Sequence, residues 1–273
     1  MIPPIVDLAW WQRRREDVVT ADCRFYLDGR SAREAYDRGH IPRAVFVDLD
    51  RYLAGHGEPH EGRHPLPAPE RFAEGLSGAG IGDATTVVAY DDAGGAIAAR
   101  LVWMLRALGQ DAALLDGGLA AYDGELSTED VVPAPAVTNV RAWPEAALAD
   151  IDAATDRRSV VLDARDGARY RGETEPVDPA AGHIPGALSL PTREHLDQDW
   201  RFLPVVELRR RFAAVGVEEG TPVVSYCGSG VTACHALLAL EHAGLGRGRL
   251  YAGSWSAYSN TPGRPVATGP EPG

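Results

Sequence analysis

Blocks of this chain occur twice, in the same order, which restricts it to two similarly folded halves. Val87-Val88-Ala89-Tyr90 returns as Val223-Val224-Ser225-Tyr226, and Gly117 with Tyr122 returns as Gly253 with Tyr258. Both recurrences share an offset of 136 positions (226 − 90 and 253 − 117). Gly39-His40-Ile41-Pro42 likewise matches Gly182-His183-Ile184-Pro185, and Leu27-Asp28-Gly29-Arg30 reads as the partner of Leu162-Asp163-Ala164-Arg165. Duplication is the simplest account of such spacing, and 273 residues suit two domains of ordinary size.

Each half alternates short β-branched runs with amphipathic segments. The runs are Val45–Val47, Thr85–Ala89, Val160–Leu162 and Pro222–Ser225, and the segments include Pro69–Gly80 and Val205–Gly216. That alternation implies an α/β fold, each half a mostly parallel sheet with helices on both faces. The stretch 127–140 has Val131-Val132-Pro133-Ala134-Pro135 at its centre and no helical periodicity, so it reads as a linker between domains at 1–132 and 133–273. In the repeated Gly-His-Ile-Pro the expected role of His40 and His183 is to hold a turn, and Asp28 and Asp163 are expected to pair with the arginines two residues on.

A net charge of −12 argues against nucleic acid and against anionic lipid as partners, and any anionic substrate must be met by local cations. Three cysteines, Cys23, Cys227 and Cys234, are too few for a disulfide framework and point to a reducing compartment, the cytoplasm. The apolar start at Met1–Trp11 is broken by Asp7 and followed by Arg13-Arg14-Arg15, the wrong order for a secretory signal. Residues 221–240 lack Asp, Glu, Lys and Arg, but Pro222, Gly228 and Gly230 make a buried strand followed by a buried helix a better reading than a membrane span.

Within that uncharged run lies the chemistry. Val223 to Tyr226 reads as a strand, Cys227-Gly228-Ser229-Gly230-Val231-Thr232 as a tight loop, and Ala233 to Leu240 as the following helix. The loop's N–H groups and the positive end of the helix dipole both favour a thiolate, which makes Cys227 the candidate nucleophile. In the first half the corresponding stretch after Tyr90 is Asp91-Asp92-Ala93-Gly94-Gly95-Ala96, which has no cysteine. Cys234 falls in the helix, where a small thiol fills core. A zinc site from Cys227, Cys234 and His235 lacks a fourth ligand, and a thiol-phosphatase loop would need arginine at Ala233.

These blocks together resemble the tandem-domain sulfurtransferases of the rhodanese superfamily over nearly the whole chain. The resemblance implies two rhodanese-like domains, an inactive N-terminal one and a catalytic C-terminal one, no cofactor or metal, and sulfur carried as a persulfide on Cys227. The loop Cys-Gly-Ser-Gly-Val-Thr is similar to that of the branch using 3-mercaptopyruvate, whereas thiosulfate enzymes carry basic residues just after the cysteine. A physical reason supports the distinction, because thiosulfate is a dianion that departs as sulfite, while the carbon left by mercaptopyruvate needs a proton. The resemblance further implies a proton relay of Ser229, His64 and Asp50, a substrate-binding arginine at Arg169, and anion-cradling groups at Gly228, Gly230, Val231 and Thr232. A second arginine expected after Glu175-Pro176 is replaced by Val177, leaving Arg171 as a substitute. The implied partners are a small anionic sulfur donor and a thiol acceptor, either thioredoxin or a low-molecular-weight thiol. Two alternatives stay open: thiosulfate:cyanide sulfur transfer, and a non-catalytic sulfur-carrier or docking module.

Overall fold

A computed structural model describes residues 1–273, which form two compact units. The first unit holds residues 1–55, 67–143 and 198–201, and the second holds 56–66, 144–197 and 202–273. In the first, strands β1 (Ile5–Val6), β2 (Val18–Asp22), β3 (Val45–Phe46), β4 (Thr86–Tyr90) and β5 (Ala112–Leu115) form one all-parallel sheet ordered β1-β5-β4-β2-β3. Its helices are α1 (Leu8–Arg14), α2 (Ala32–Arg38), α3 (Pro69–Gly78) and α4 (Ala98–Ala107). Asp7 caps α1 by accepting the Trp10 N–H at 2.6 Å, and Ser31 caps α2 by accepting from Glu34, which satisfies donors that a helix start leaves open.

The second unit repeats the plan with β6 (Val160–Asp163), β7 (Leu188–Ser189), β8 (Val223–Tyr226) and β9 (Arg249–Leu250), parallel and ordered β7-β6-β8-β9. A parallel bridge from Leu148 to Leu250 stands where β1 stands in the first sheet. The helices are α5 (Gly167–Tyr170), α6 (Val205–Ala214), α7 (Thr232–His242) and α8 (Ser254–Ser259). Strand β8 is buried throughout and so are eight residues of α7, which accounts for the uncharged run at 221–240. No helix is long and apolar enough to cross a membrane.

The repeat is deeper than the letters suggest, and one pairing of letters was misleading. Asp163 lies beside Tyr226 in the β6–β8 register, and Asp22 lies beside Tyr90 in the β2–β4 register. In both units the aspartate receives a bidentate arginine two residues on, Arg24 or Arg165, and the tyrosine hydroxyl at 2.8 or 2.6 Å. Each arginine also donates to a glycine carbonyl, Gly39 or Gly182, just before the repeated histidine. The true partner of Asp163-Ala164-Arg165 is therefore Asp22-Cys23-Arg24. Asp28 and Arg30 do pair, at 2.8 Å, but on an exposed turn. His40 and His183 hold their turns as expected, each ring stacked on a tyrosine, Tyr36 or Tyr170, whose carbonyl its Nδ1 meets at 3.0 or 2.8 Å.

The proline-rich stretch 127–140 contains no helix and is fastened to the first unit. Ser127 exchanges backbone hydrogen bonds with His40, Ala136 bonds Ser77, and Thr138 donates to the Ile81 carbonyl at 2.6 Å. The unit continues to Trp143, whose indole N–H reaches the Pro67 carbonyl.

Candidate active site

In the second sheet the chain leaves β6 toward β7 on one side and β8 toward β9 on the other, so the carboxyl ends of β6 and β8 bound the crevice where ligands enter folds of this kind. Cys227 follows β8 directly and is 2% exposed. Its sulfur accepts the Gly230 N–H at 3.1 Å. Its own N–H donates to Ser254 Oγ at 3.1 Å, and that hydroxyl donates to the Tyr251 carbonyl. Trp255 and Ser256 then donate to the Cys227 and Gly228 carbonyls, tying the loop to the start of α8.

Two backbone conformations make this possible. Gly230 has φ +78°, and a Cβ there would lie 2.4 Å from the Ala252 carbonyl oxygen. Only glycine fits such a bend against neighbouring backbone. Ser254 has φ +54°, rare for a side chain other than glycine, and it is the residue that holds the Cys227 N–H. Its counterpart in the first unit, Gly118, has φ +55° and no hydroxyl to offer.

The second unit also receives the segment His56–Leu66. Arg63 N–H donates to Ser256 Oγ at 3.0 Å, and His64 Nδ1 lies 2.8 Å from Ser229 Oγ. A Cβ on Gly228 would meet Arg63 Nη2 at 3.1 Å and Arg169 Nη1 at 3.4 Å, so both guanidinium groups stand over the residue after the nucleophile. Arg63 is 34% exposed and Arg169 20%, and a cleft of about 410 Å³ lined by Arg63, Asp178, Ser256 and Asn260 opens beside Arg63. Arg169 donates to Glu175 at 2.6 Å and to Asp178 at 3.4 Å, and Arg63 also pairs with Asp178. Burial raises the Asp178 carboxyl against the pull of Arg63. Burial also pushes Glu175 upward, but hydrogen bonds from Arg169 and from the Asp178 backbone outweigh it and hold Glu175 low.

The second unit thus brings together Cys227, Gly228, Ser229, Gly230, His64 and Arg169. Val231 is buried and Thr232 begins α7. Asp50 lies in the first unit, in the π-helical turn Leu49–Leu53, with its side chain exposed. Arg171 is bound to Glu173 at 2.7 Å on the surface, and the guanidinium that stands with Arg169 over Gly228 is that of Arg63. Sequence reasoning missed Arg63, Ser254, Glu175 and Asp178. The only local signal for Arg63 was a basic residue directly before His64.

The other thiols differ. Burial, followed by the charges of Asp22 and Asp91, pushes the Cys23 thiol well above its ordinary range. Cys234 donates to the Gly230 carbonyl at 3.3 Å. No group of three or more His, Cys, Asp or Glu is placed to hold a metal ion. In the first unit the position after β4 is Asp91, fully buried, its two oxygens accepting the N–H groups of Ala93, Gly95, Ile97 and Ala98 at 2.7–2.8 Å. A loop of the same design there is closed on a carboxylate from the chain itself.

The chain resembles known proteins over nearly its whole length. The rhodanese-like domain family matches residues 8–125 and again 144–261. The chain is 45% identical, over 93% of its own length and 93% of the other, to a Pseudomonas aeruginosa protein named as a probable 3-mercaptopyruvate sulfurtransferase. It is 37% identical, over 96% of its length and 95% of the other, to SseB of Mycobacterium tuberculosis, named as a candidate thiosulfate sulfurtransferase. Its fold superposes on the crystal structure of SseA from Escherichia coli, a 3-mercaptopyruvate sulfurtransferase, with a TM-score of 0.82 at 31% identity, covering 93% of this chain and 99% of that one. The chain belongs to the rhodanese-like family, in its tandem-domain sulfurtransferase form.

Proposed function

We propose that this sulfurtransferase takes its sulfur from 3-mercaptopyruvate, carries it on Cys227 and passes it to a thiol. The Cys227 thiolate attacks the donor sulfur and forms a sulfur–sulfur bond. The carbon–sulfur bond breaks, its electron pair remains on carbon as the enolate of pyruvate, and a proton completes pyruvate. An acceptor thiolate then takes the outer sulfur as its own persulfide and returns Cys227 as thiolate.

The observation that carries the donor assignment is the 2.8 Å contact between His64 Nδ1 and Ser229 Oγ, two residues from the nucleophile. An enolate leaving group needs a proton there and sulfite does not. In this reading Ser229 hands over its proton and His64 replaces it, while Asp50 has the orienting role that the family resemblance assigns. Arg63 and Arg169 hold the substrate carboxylate, for which paired guanidinium groups are suited. Gly230 N–H meets the charge on the sulfur, with Gly228, Val231 and Thr232 shaping the rest of the cradle. The acceptor is proposed to be thioredoxin or a low-molecular-weight thiol, and three cysteines outside any disulfide fit work in a reducing cytoplasm.

The test compares kcat/KM for mercaptopyruvate and thiosulfate in the wild type and in Ser229→Ala. The reading expects mercaptopyruvate to be preferred, and Ser229→Ala to depress its turnover while leaving thiosulfate turnover nearly intact. A wild-type preference for thiosulfate would overturn the donor assignment.

A further inference from the structure

The two guanidinium groups over the Cys227 loop share one carboxylate. Asp178 accepts from Arg63 and, at 3.4 Å, from Arg169, and its side chain is 3% exposed. Its backbone N–H donates to Glu175 Oε1 at 3.2 Å, so the two carboxylates are tied to each other as well as to the arginines. Glu175 in turn binds Arg169 and, at 3.3 Å, Arg165, whose other carboxylate partner is Asp163. The connected set therefore holds three cations, Arg63, Arg165 and Arg169, and three anions, Asp163, Glu175 and Asp178. Before a donor arrives its charges cancel.

We propose that Asp178 sets donor specificity, by fixing the directions of Arg63 and Arg169 and cancelling one of their charges, so that a singly charged thiol acid is favoured over a doubly charged donor. The proposal rests on the reading of those two arginines as the donor's anchor. A monoanion needs two well-aimed hydrogen-bonding forks and little net charge. A dianion needs the net positive charge that Asp178 removes, and in a partly buried site one uncancelled charge has a large effect. Asp178 touches neither the sulfur nor the donor in this scheme. It is a positioning residue that acts through the arginines.

Asp178→Asn keeps the shape and removes the charge, and Asp178→Glu keeps the charge. With both donors assayed at one pH and one ionic strength, Asp178→Asn should raise the ratio of kcat/KM for thiosulfate to that for mercaptopyruvate by about tenfold. The change should come through a lower KM for thiosulfate, and Asp178→Glu should keep the ratio near the wild-type value. A melting curve accompanies each variant, and if Asp178→Asn does not fold, Asp178→Ser removes the same charge and carries the same expectation. Equal loss on both donors would mean a merely structural role and overturn the proposal. So would an equal ratio change in the Asn and Glu variants, because charge would then not be the cause. A wild type that prefers thiosulfate would refute the donor assignment alone, because the shift of the ratio on removing the charge still tests Asp178.

Discussion

Two glycines in the Cys227 loop should fail in different ways when each gains a methyl group. At Gly230 the new Cβ would sit 2.4 Å from the Ala252 carbonyl oxygen and 3.1 Å from that residue's carbonyl carbon and Cα. The obstacle is backbone and cannot swing aside, and the left-handed conformation alone costs an L-residue roughly 1–2 kcal/mol. Relief requires the loop to move by about 1 Å, enough to break the 3.1 Å bond from Gly230 N–H to the sulfur, and a displacement of that size at a reacting centre costs on the order of 100-fold in rate. At Gly228 the Cβ meets only the ends of Arg63 and Arg169, which can yield by a few tenths of an ångström. Gly230→Ala should therefore lower the rate of persulfide formation by about 100-fold in a protein whose melting temperature falls by only a few degrees. Gly228→Ala should leave that rate within about threefold of wild type and raise the donor KM. Rapid-quench mass spectrometry of a single turnover, beside steady-state kinetics and a melting curve, separates the two. A folded Gly230→Ala enzyme with wild-type turnover, or a Gly228→Ala enzyme that loses turnover to the same degree, would refute the reasoning.

Other consequences can be measured independently. Arg63→Ala and Arg169→Ala should each raise the KM for mercaptopyruvate by about 10- to 100-fold, the worth of one charge-assisted hydrogen bond, with a smaller effect on kcat; an unchanged KM would remove that arginine from the site. Tyr226→Phe leaves the buried Ile184 N–H and one Asp163 oxygen without the hydroxyl that now bonds both, so urea unfolding should show a loss of about 2–3 kcal/mol, and a loss below about 0.5 kcal/mol would contradict that bonding. His195 is fully enclosed, and its desolvation, helped by the charge of Arg211, lowers its pKa to about 4 from 6.5. The folded state then resists a proton that the unfolded chain accepts, so stability present above pH 6.5 is lost as the pH falls toward 4, by about 3 kcal/mol in all. His195→Phe should flatten that part of the stability profile, and an unaltered profile would exclude His195 as its source.

Local features of the fold were legible before any coordinates, and the reasons are physical. Periodicity placed α3, α6, β4 and β8 within a residue or two, because each buries one face or both. The strand, cysteine, glycine bend and helix at 223–240 were readable because they are contiguous. Matching by letters misled at Leu27–Arg30, where an Asp-x-Arg turn is common chemistry, while the buried pair Asp22 and Arg24 is defined by its register against Tyr90. Arg63 was hidden because its place depends on contacts with Ser256 and Asp178, more than a hundred residues away in the chain. Val177 drew attention as a missing arginine, although the informative residue was its neighbour Asp178. The positive φ of Ser254 is not marked by serine itself, and only the 136-residue offset, which sets Gly118 opposite it, hints at that conformation.

Sulfur transfer by this chain turns on the Cys227 sulfur being the atom that carries the transferred sulfur. Incubating the protein with mercaptopyruvate in the absence of any acceptor, then digesting it and weighing the cysteine peptides, tests this directly. The peptide containing Cys227 should gain the mass of one sulfur atom and lose it on adding a thiol or cyanide, while that of Cys23 stays unchanged. An enzyme that turns over donor with Cys227 unmodified throughout, or that keeps its activity as Cys227→Ser, would contradict the account.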